Sequence, residues 1–426
     1  MNTITKQTFQ QLREQPLISI VSIVGTAFSL FLIMLVVMIQ QVKVAPYAPE
    51  SNRDRMLHVK FGSVQQGEGS GNGPLAISTI NTIYKKMKTP EAVTTYMYPT
   101  KQLLSMDGTK SLTADVELTD ADFWRVFNFC FIDGKPYSEA DFKAGIALAV
   151  IDKTTARQLF GTGTGVAGRQ FKLKHIPYKV SGVVNDVSTL ATSSYAQIWI
   201  PYTTDKEACD MTWEDNIMGY FSVTILAHSE ADKAKIRDEA DANLNKFNLT
   251  IKNKGMKLIS RNRPYDTEKE SIDFGANIEP DVAAQHRMQW ITFIILLIVP
   301  AVNLSSMTHS RLRQRLSEIG IRRAFGCTRW SIANQILTEN MIVTLCAGIL
   351  GLLLSIACAY CFNASLFTPL YTNYSNAPLV NISILLHLST FGYALTFCFV
   401  LNLLSTGIPA WHACRTSIIN DLNGRR

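Results

Sequence analysis

Hydrophobic and polar positions alternate in two different ways along this chain, and the difference divides it. Four stretches are apolar for long enough to cross a bilayer as helices, which takes about 20 residues. Residues 17–39 and 288–310 carry no Asp, Glu, Lys or Arg. Residues 340–414 also lack any charge, and Pro369, Asn373, Ser375, Asn376 and Pro378 break that run with turn chemistry at 363–380. It therefore predicts two helices, near 340–362 and 382–408. The first run exceeds the 7–15 apolar residues usual for a signal peptide, so a retained helix is expected.

Between the first two runs the pattern changes to that of a mixed α/β domain. Residues 145–151 form a short apolar run fit for a buried strand. Asp152 is placed to cap a helix over 154–160, and Gly161 to end it. Residues 170–174 and 178–184 alternate like the arms of a hairpin, with 175–177 at the bend. Residues 221–226 predict a further strand and 231–247 an amphipathic helix. Residues 63–74 hold Gly67, Gly69, Gly71 and Gly73 among polar neighbours and are expected to form a flexible surface loop. Gly163-Thr-Gly-Val-Ala-Gly168 matches the dinucleotide pattern. It stands after a helix and before a strand, the reverse of the order that pattern requires, so a simple turn is expected.

The expected organisation has nine parts. They are an N-terminal segment (1–16), a first transmembrane helix (17–41), an extracytoplasmic domain (42–287), a second helix (288–310), and a cytoplasmic helix and loop (311–330). A third helix with its cytoplasmic extension (331–362), an external loop (363–381), a fourth helix (382–408) and a cytoplasmic tail (409–426) follow. The fold class is thus membrane α-helical, with four transmembrane helices and a mixed α/β domain inserted between the first two.

Charge orients this arrangement. The 42–287 segment holds 30 basic and 30 acidic residues, whereas the rest of the chain holds 11 and 4. A nucleic-acid binder would concentrate its basic residues on the folded domain, so no nucleic-acid partner is expected. The excess lies in short segments beside the apolar runs: Lys6 and Arg13, then Arg311, Arg313, Arg315, Arg322, Arg323 and Arg329, then Arg415, Arg425 and Arg426. The positive-inside rule puts all three segments in the cytoplasm, and the large domain outside.

Catalytic patterns are missing from the sequence. There is no G-x-x-x-x-G-K-[ST], H-E-x-x-H or G-x-S-x-G, and the histidines are scattered. No catalytic residue, metal or cofactor is expected, and the chain is read as non-catalytic. Cys358 and Cys361 form a C-x-x-C inside the third apolar run, where packing is the expected role. Cys130 and Cys209 could pair in an oxidising compartment. The aromatic run around Cys130 suggests a buried free thiol instead.

The densest pattern lies at 308–339. A helix is expected over 311–325, with Leu312, Leu316 and Ile319 on one face. Gly326 is suited to stop it in a left-handed conformation, and Thr328 to cap the next helix. Gly320 costs about 1 kcal/mol relative to Ala in a helix interior, which suggests close packing there. On the arginines alone, contact with anionic lipid and docking of a protein are equally good explanations.

Ser317-Glu-Ile-Gly-Ile-Arg-Arg-Ala-Phe-Gly-Cys-Thr-Arg-Trp330, with Gln335-Ile-Leu-Thr-Glu339, resembles the signature of FtsX/MacB-like ABC transporter permeases. Residues 149–161 and 178–186 resemble the MacB-like periplasmic core domain. Residues 300–307 look like the end of that family's second helix, and residues 408–415 like its C-terminal end. One departure is Cys327, where Ala is usual. The resemblance implies a permease subunit in the bacterial inner membrane, paired with a second permease copy as a homodimer and with a separate cytosolic ABC ATPase. Glu318, Ile319, Gly320, Ile321, Arg322, Arg323 and Gly326 would form the ATPase-coupling surface. ATP-driven motion would move the periplasmic domain, by mechanotransmission, to export a peptide, antibiotic or lipoprotein. A periplasmic adaptor or an outer-membrane channel would join an export complex, and membrane lipid surrounds the helices. The alternative it implies is an FtsX-like regulator of a periplasmic or cell-wall enzyme. Pro300 is expected to kink the second helix.

Overall fold

The computed structural model describes residues 16–106, 111–314, 320–322, 324–367 and 388–407. The expected N-terminal segment up to residue 15, the 363–381 loop beyond Phe367, the start of the fourth helix and the cytoplasmic tail lie outside them. The chain divides into two compact units. One spans Lys43–Val282, and the other gathers the apolar helices.

The Lys43–Val282 unit is built on thirteen described strands: β1 (Met56–Val59), β2 (Gly62–Gln66), β3 (Gly69–Gly73), β4 (Ala92–Ser105), β5 (Leu112–Thr119), β6 (Phe131–Gly134), β7 (Leu148–Asp152), β8 (Gln170–Leu173), β9 (Ile176–Val184), β10 (Ile198–Pro201), β11 (Ser222–Leu226), β12 (Met256–Ile259) and β13 (Tyr265–Asp266). Ten of them form one mixed sheet in the order β13-β1-β11-β4-β5-β10-β7-β9-β6, with β8 paired to β4 and β9. The β5/β10 and β7/β9 pairs are parallel and the others antiparallel. Side chains alternate across a strand, so successive residues supply different cores. Val116, Leu118, Ile198, Ile200, Val223 and Ile225 join an aliphatic core that includes Ile236 and Leu244 of the Lys233–Ile251 helix. Tyr96, Trp199 and Leu226 join an aromatic core with Phe123, Phe127 and Tyr137.

Local expectations are met closely at residues 148–161. Asp152 accepts from the Thr155 amide at 2.6 Å and caps a Lys153–Phe160 helix. Gly161 ends it at φ +77°. The β8–β9 hairpin turns one residue earlier than expected, at Lys174 and His175, both in the left-handed region.

The 63–74 segment is a β2–β3 hairpin, not a flexible loop. It turns at Gly67 (φ +57°), and β2 pairs with β12, burying Val64 opposite Leu258. Two of its other glycines, Gly71 and Gly73, give clearance. A Cβ on Gly71 would lie 2.5 Å from Glu214 Oε1, and one on Gly73 would lie 2.8 Å from Trp213. Glycine within a strand commonly marks such a close approach.

A buried cluster fixes the start of this unit. Arg53 donates to Glu50, to Tyr47 Oη and to the carbonyls of Lys43, Ala45 and Leu190. Glu50 Oε1 in turn accepts from the Ser193 amide and the Ser194 hydroxyl. Residues 43–53, which begin in the last turn of the first apolar helix, are thereby pinned to the 190–194 segment. Arg263, fully buried, does the same near the other end, pairing with Asp273 and donating to the carbonyls of Gly275 and Ala276.

In the second unit, helices run over Pro16–Val44, Val282–Gln314, Arg329–Cys361 and Leu388–Asn402. The second of these is helical through position 300. Among the described residues, Ile23–Val44 and Arg329–Cys361 are long and apolar enough to cross a bilayer, while Val282–Ile298 and Thr396–Gly407 are shorter apolar segments. All four helices contribute to one core, through Leu30, Ile33 and Val37, through Phe293, Leu296 and Leu297, through Leu345, and through Phe397, Cys398 and Leu401. Other faces leave apolar side chains uncovered. Ile291, Ile294, Ile295 and Ile298 make one such stripe, and Ile349, Leu350, Leu353 and Leu354 another. A helix apolar on both its packed and its outward faces suits lipid rather than water.

Candidate functional site

The glycine-rich turn that mimics a nucleotide motif is filled by the chain itself. The amides of Val166 and Ala167 donate to Asp133 Oδ2 at 2.7 and 3.1 Å. Those amides, Ala167 foremost, hold the Asp133 carboxyl below the usual carboxylate range. An anion is already seated where a phosphate would have to bind. His58 is equally committed, with its ring nitrogens facing Thr224 and Thr267 and burial lowering its pKa. Cys130 and Cys209 are free thiols. Cys130 is exposed, not buried as its aromatic neighbours suggested. Cys209 is half-buried, and burial pushes its thiol up to about 11.

The 320–330 segment combines a defined shape with an uncovered surface. Gly326 has φ +91°, and the amide of Cys327 donates to the Arg322 carbonyl at 3.1 Å. That six-to-one bond with a left-handed glycine is the Schellman arrangement for stopping a helix. Thr328 then caps the Arg329–Cys361 helix, its hydroxyl accepting from the Ser331 amide. The stop and restart leave three large apolar side chains in the open: Ile321 at 49%, Phe325 at 89% and Trp330 at 70% exposure. Ile321 and Phe325 lie one turn apart on the same helical face.

Of the seven residues expected to form a coupling surface, Glu318, Ile319 and Arg323 lie outside the described residues. Ile321 and Gly326 are exposed, and Gly320 is buried within the chain. Arg322 is half-buried and donates to Gln335 Oε1 at 3.1 Å. The sequence reading missed Phe325 and Trp330. Their signal was available: two aromatics in an arginine-rich connection, off the apolar face of either neighbouring helix.

These features define a protein of apolar helices that carries a large inserted α/β domain and a capped basic hairpin. The comparisons agree. Residues 19–243, more than half of the chain, match the MacB-like periplasmic core domain, and residues 290–418 match the FtsX-like permease C-terminal domain. The chain belongs to the MacB/FtsX-like family of ABC transporter permeases, inner-membrane proteins with a periplasmic domain. It is 24% identical over 261 residues to the macrolide export ATP-binding/permease protein MacB of Escherichia coli K12, covering 61% of this chain and 37% of that one. The Chromobacterium violaceum protein of the same name is 25% identical over 265 residues, covering 62% and 38%. The chain thus spans less than two fifths of the length of the curated relatives it matches. Among solved structures, it is similar to a domain of a permease from Porphyromonas gingivalis (15% identity, 49% of this chain and 88% of that one, TM-score 0.36). It is also similar to the periplasmic region of MacB from Actinobacillus actinomycetemcomitans (18% identity, 47% and 89%, TM-score 0.34).

Proposed function

We propose that this chain is the permease subunit of an ATP-driven export complex, in which a cytosolic ABC ATPase docks on the 320–330 hairpin and the periplasmic domain is moved in consequence. The observation that carries this reading is the uncovered Phe325–Trp330 tip on a hairpin whose shape is fixed by a Schellman stop and a threonine cap. A lipid-binding basic loop needs no such shape, whereas a docking knob does.

In this reading four helices cross the inner membrane. Residues 42–287 lie in the periplasm, and 1–16, 311–330 and 409–426 in the cytoplasm. Two permease copies act together. Glu318, Ile319, Gly320, Ile321, Arg322, Arg323 and Gly326 shape the coupling region, and Ile321, Phe325 and Trp330 supply its contact face. The polar side chains of the helices support motion over passage. Asn402 Nδ2 donates to the Leu337 carbonyl at 3.1 Å, a bond between helices rather than a lining for a path. The cargo class is a peptide, antibiotic or lipoprotein, released on the periplasmic side with an adaptor or outer-membrane channel.

Buried aromatic anchors carry much of an interface's energy, about 2 kcal/mol or more each. Phe325→Ala and Trp330→Ala, each in the full chain in detergent, are expected to reduce co-purification of the ABC ATPase at least about tenfold. Undiminished capture by both variants contradicts docking at this tip.

A further inference from the structure

A polar relay runs from the hairpin into the third apolar helix. Arg322 Nη1 donates to Gln335 Oε1 at 3.1 Å, and Gln335 Nε2 donates to Glu339 Oε1 at 2.9 Å. Gln335 and Glu339 stand one turn apart, and Glu339 is buried at the edge of a run that carries no further charge up to Cys414. The amide of Gln335 turns its oxygen to the cation and its nitrogen to the carboxylate. The flipped amide would face donor with donor and acceptor with acceptor.

The position of the relay matters as much as its chemistry. Arg322 lies one helical turn before Gly326, and Gln335 lies about two turns after Thr328, so the relay joins the two arms below the apex. The Schellman bond closes the apex, and the relay adds a tie between the arms beside the hinge glycine, where it resists a load on Phe325 or Trp330 that would splay them.

We propose that Arg322, Gln335 and Glu339 form a latch that locks the hairpin to the third helix, so that displacement of the docked tip is delivered to the membrane. This inference rests on the docking reading given above. It makes Arg322 a positioning residue whose guanidinium faces its own chain, while Ile321, Phe325 and Trp330 meet the partner.

The test uses the full chain in nanodiscs, with and without the ABC ATPase. Gln335→Leu keeps the helix and removes both bonds. Amide exchange over 320–328 is expected to quicken at least about tenfold, as for a local opening made easier. Glu339→Gln, which keeps an acceptor for Gln335, should stay within about threefold of the parent. With ATPase bound, Gln335→Leu should retain capture within about twofold. It should nevertheless lose the exchange change that ATP with vanadate produces at 331–345 in the parent chain.

Unchanged exchange over 320–328 in Gln335→Leu overturns the latch, and so does a full vanadate response at 331–345. If Gln335→Leu does not accumulate, Arg322→Ala removes the donor from a half-exposed position and is held to the same exchange outcome over 320–328. A parent chain that captures no ATPase would overturn the docking reading alone, leaving exchange over 320–328 to decide the latch.

Discussion

Asp152 shows how one side chain can serve local structure at a cost to the whole. Its carboxyl caps the Lys153–Phe160 helix from a buried position, and burial, aided by Asp186 and Asp115, raises its pKa to about 7. The unfolded value is about 3.9, so between those limits the folded state holds a proton that the unfolded state has released. Stability from this group is therefore complete below about pH 4 and is lost as pH rises through about 7. Asp152→Asn keeps an oxygen for the Thr155 amide and removes the titration. Thermal melts of the full chain should show the variant gaining on the parent between pH 5 and pH 8, by at most about 3 kcal/mol. An equal offset at both pH values would refute the assignment. The capping role of Asp152 was readable from sequence, because a cap is set by residues three apart. The clearance role of Gly71 and Gly73 was not, because the groups that cross them, Glu214 and Trp213, lie some 140 residues away. Glycines there look like flexibility until their neighbours are known.

At the scale of elements, close approach governs the helices as well. A Cβ on Gly351 would lie 2.7 Å from the Ala27 carbonyl oxygen and 3.0 Å from the Phe31 amide, so the first and third apolar helices meet backbone to backbone. Small residues at such crossings let membrane helices pack without a hydrophobic driving force. Gly351→Leu is expected to cost about 1–3 kcal/mol by overpacking, read as a lower melting temperature of the detergent-solubilised chain. A melting temperature equal to the parent's would show that the helices do not meet there. The apolar runs announced these helices, and Gly326 and Thr328 announced the hairpin between them, since each signal is local. The partner Arg322 finds in Gln335, and Gln335 in Glu339, were visible only as part of a family signature. Their juxtaposition depends on the turn geometry that folds one arm onto the next.

Across the whole molecule, the charge pattern and the fold tell one story. A neutral α/β unit, clamped at both ends by buried arginines, is joined to apolar helices whose basic connection carries the exposed tip. The proposed coupling requires the tip and the α/β unit to lie on opposite sides of the membrane. Native thiols report on both: Cys130 is exposed in the α/β unit, and half-exposed Cys327 sits in the hairpin. With each in turn kept as the sole cysteine, a membrane-impermeant maleimide is applied to cells whose outer envelope has been opened. Cys130 should be labelled at once, and Cys327 only after the inner membrane is permeabilised. Labelling of Cys327 from outside, with Cys130 protected, would contradict the topology and the coupling built on it.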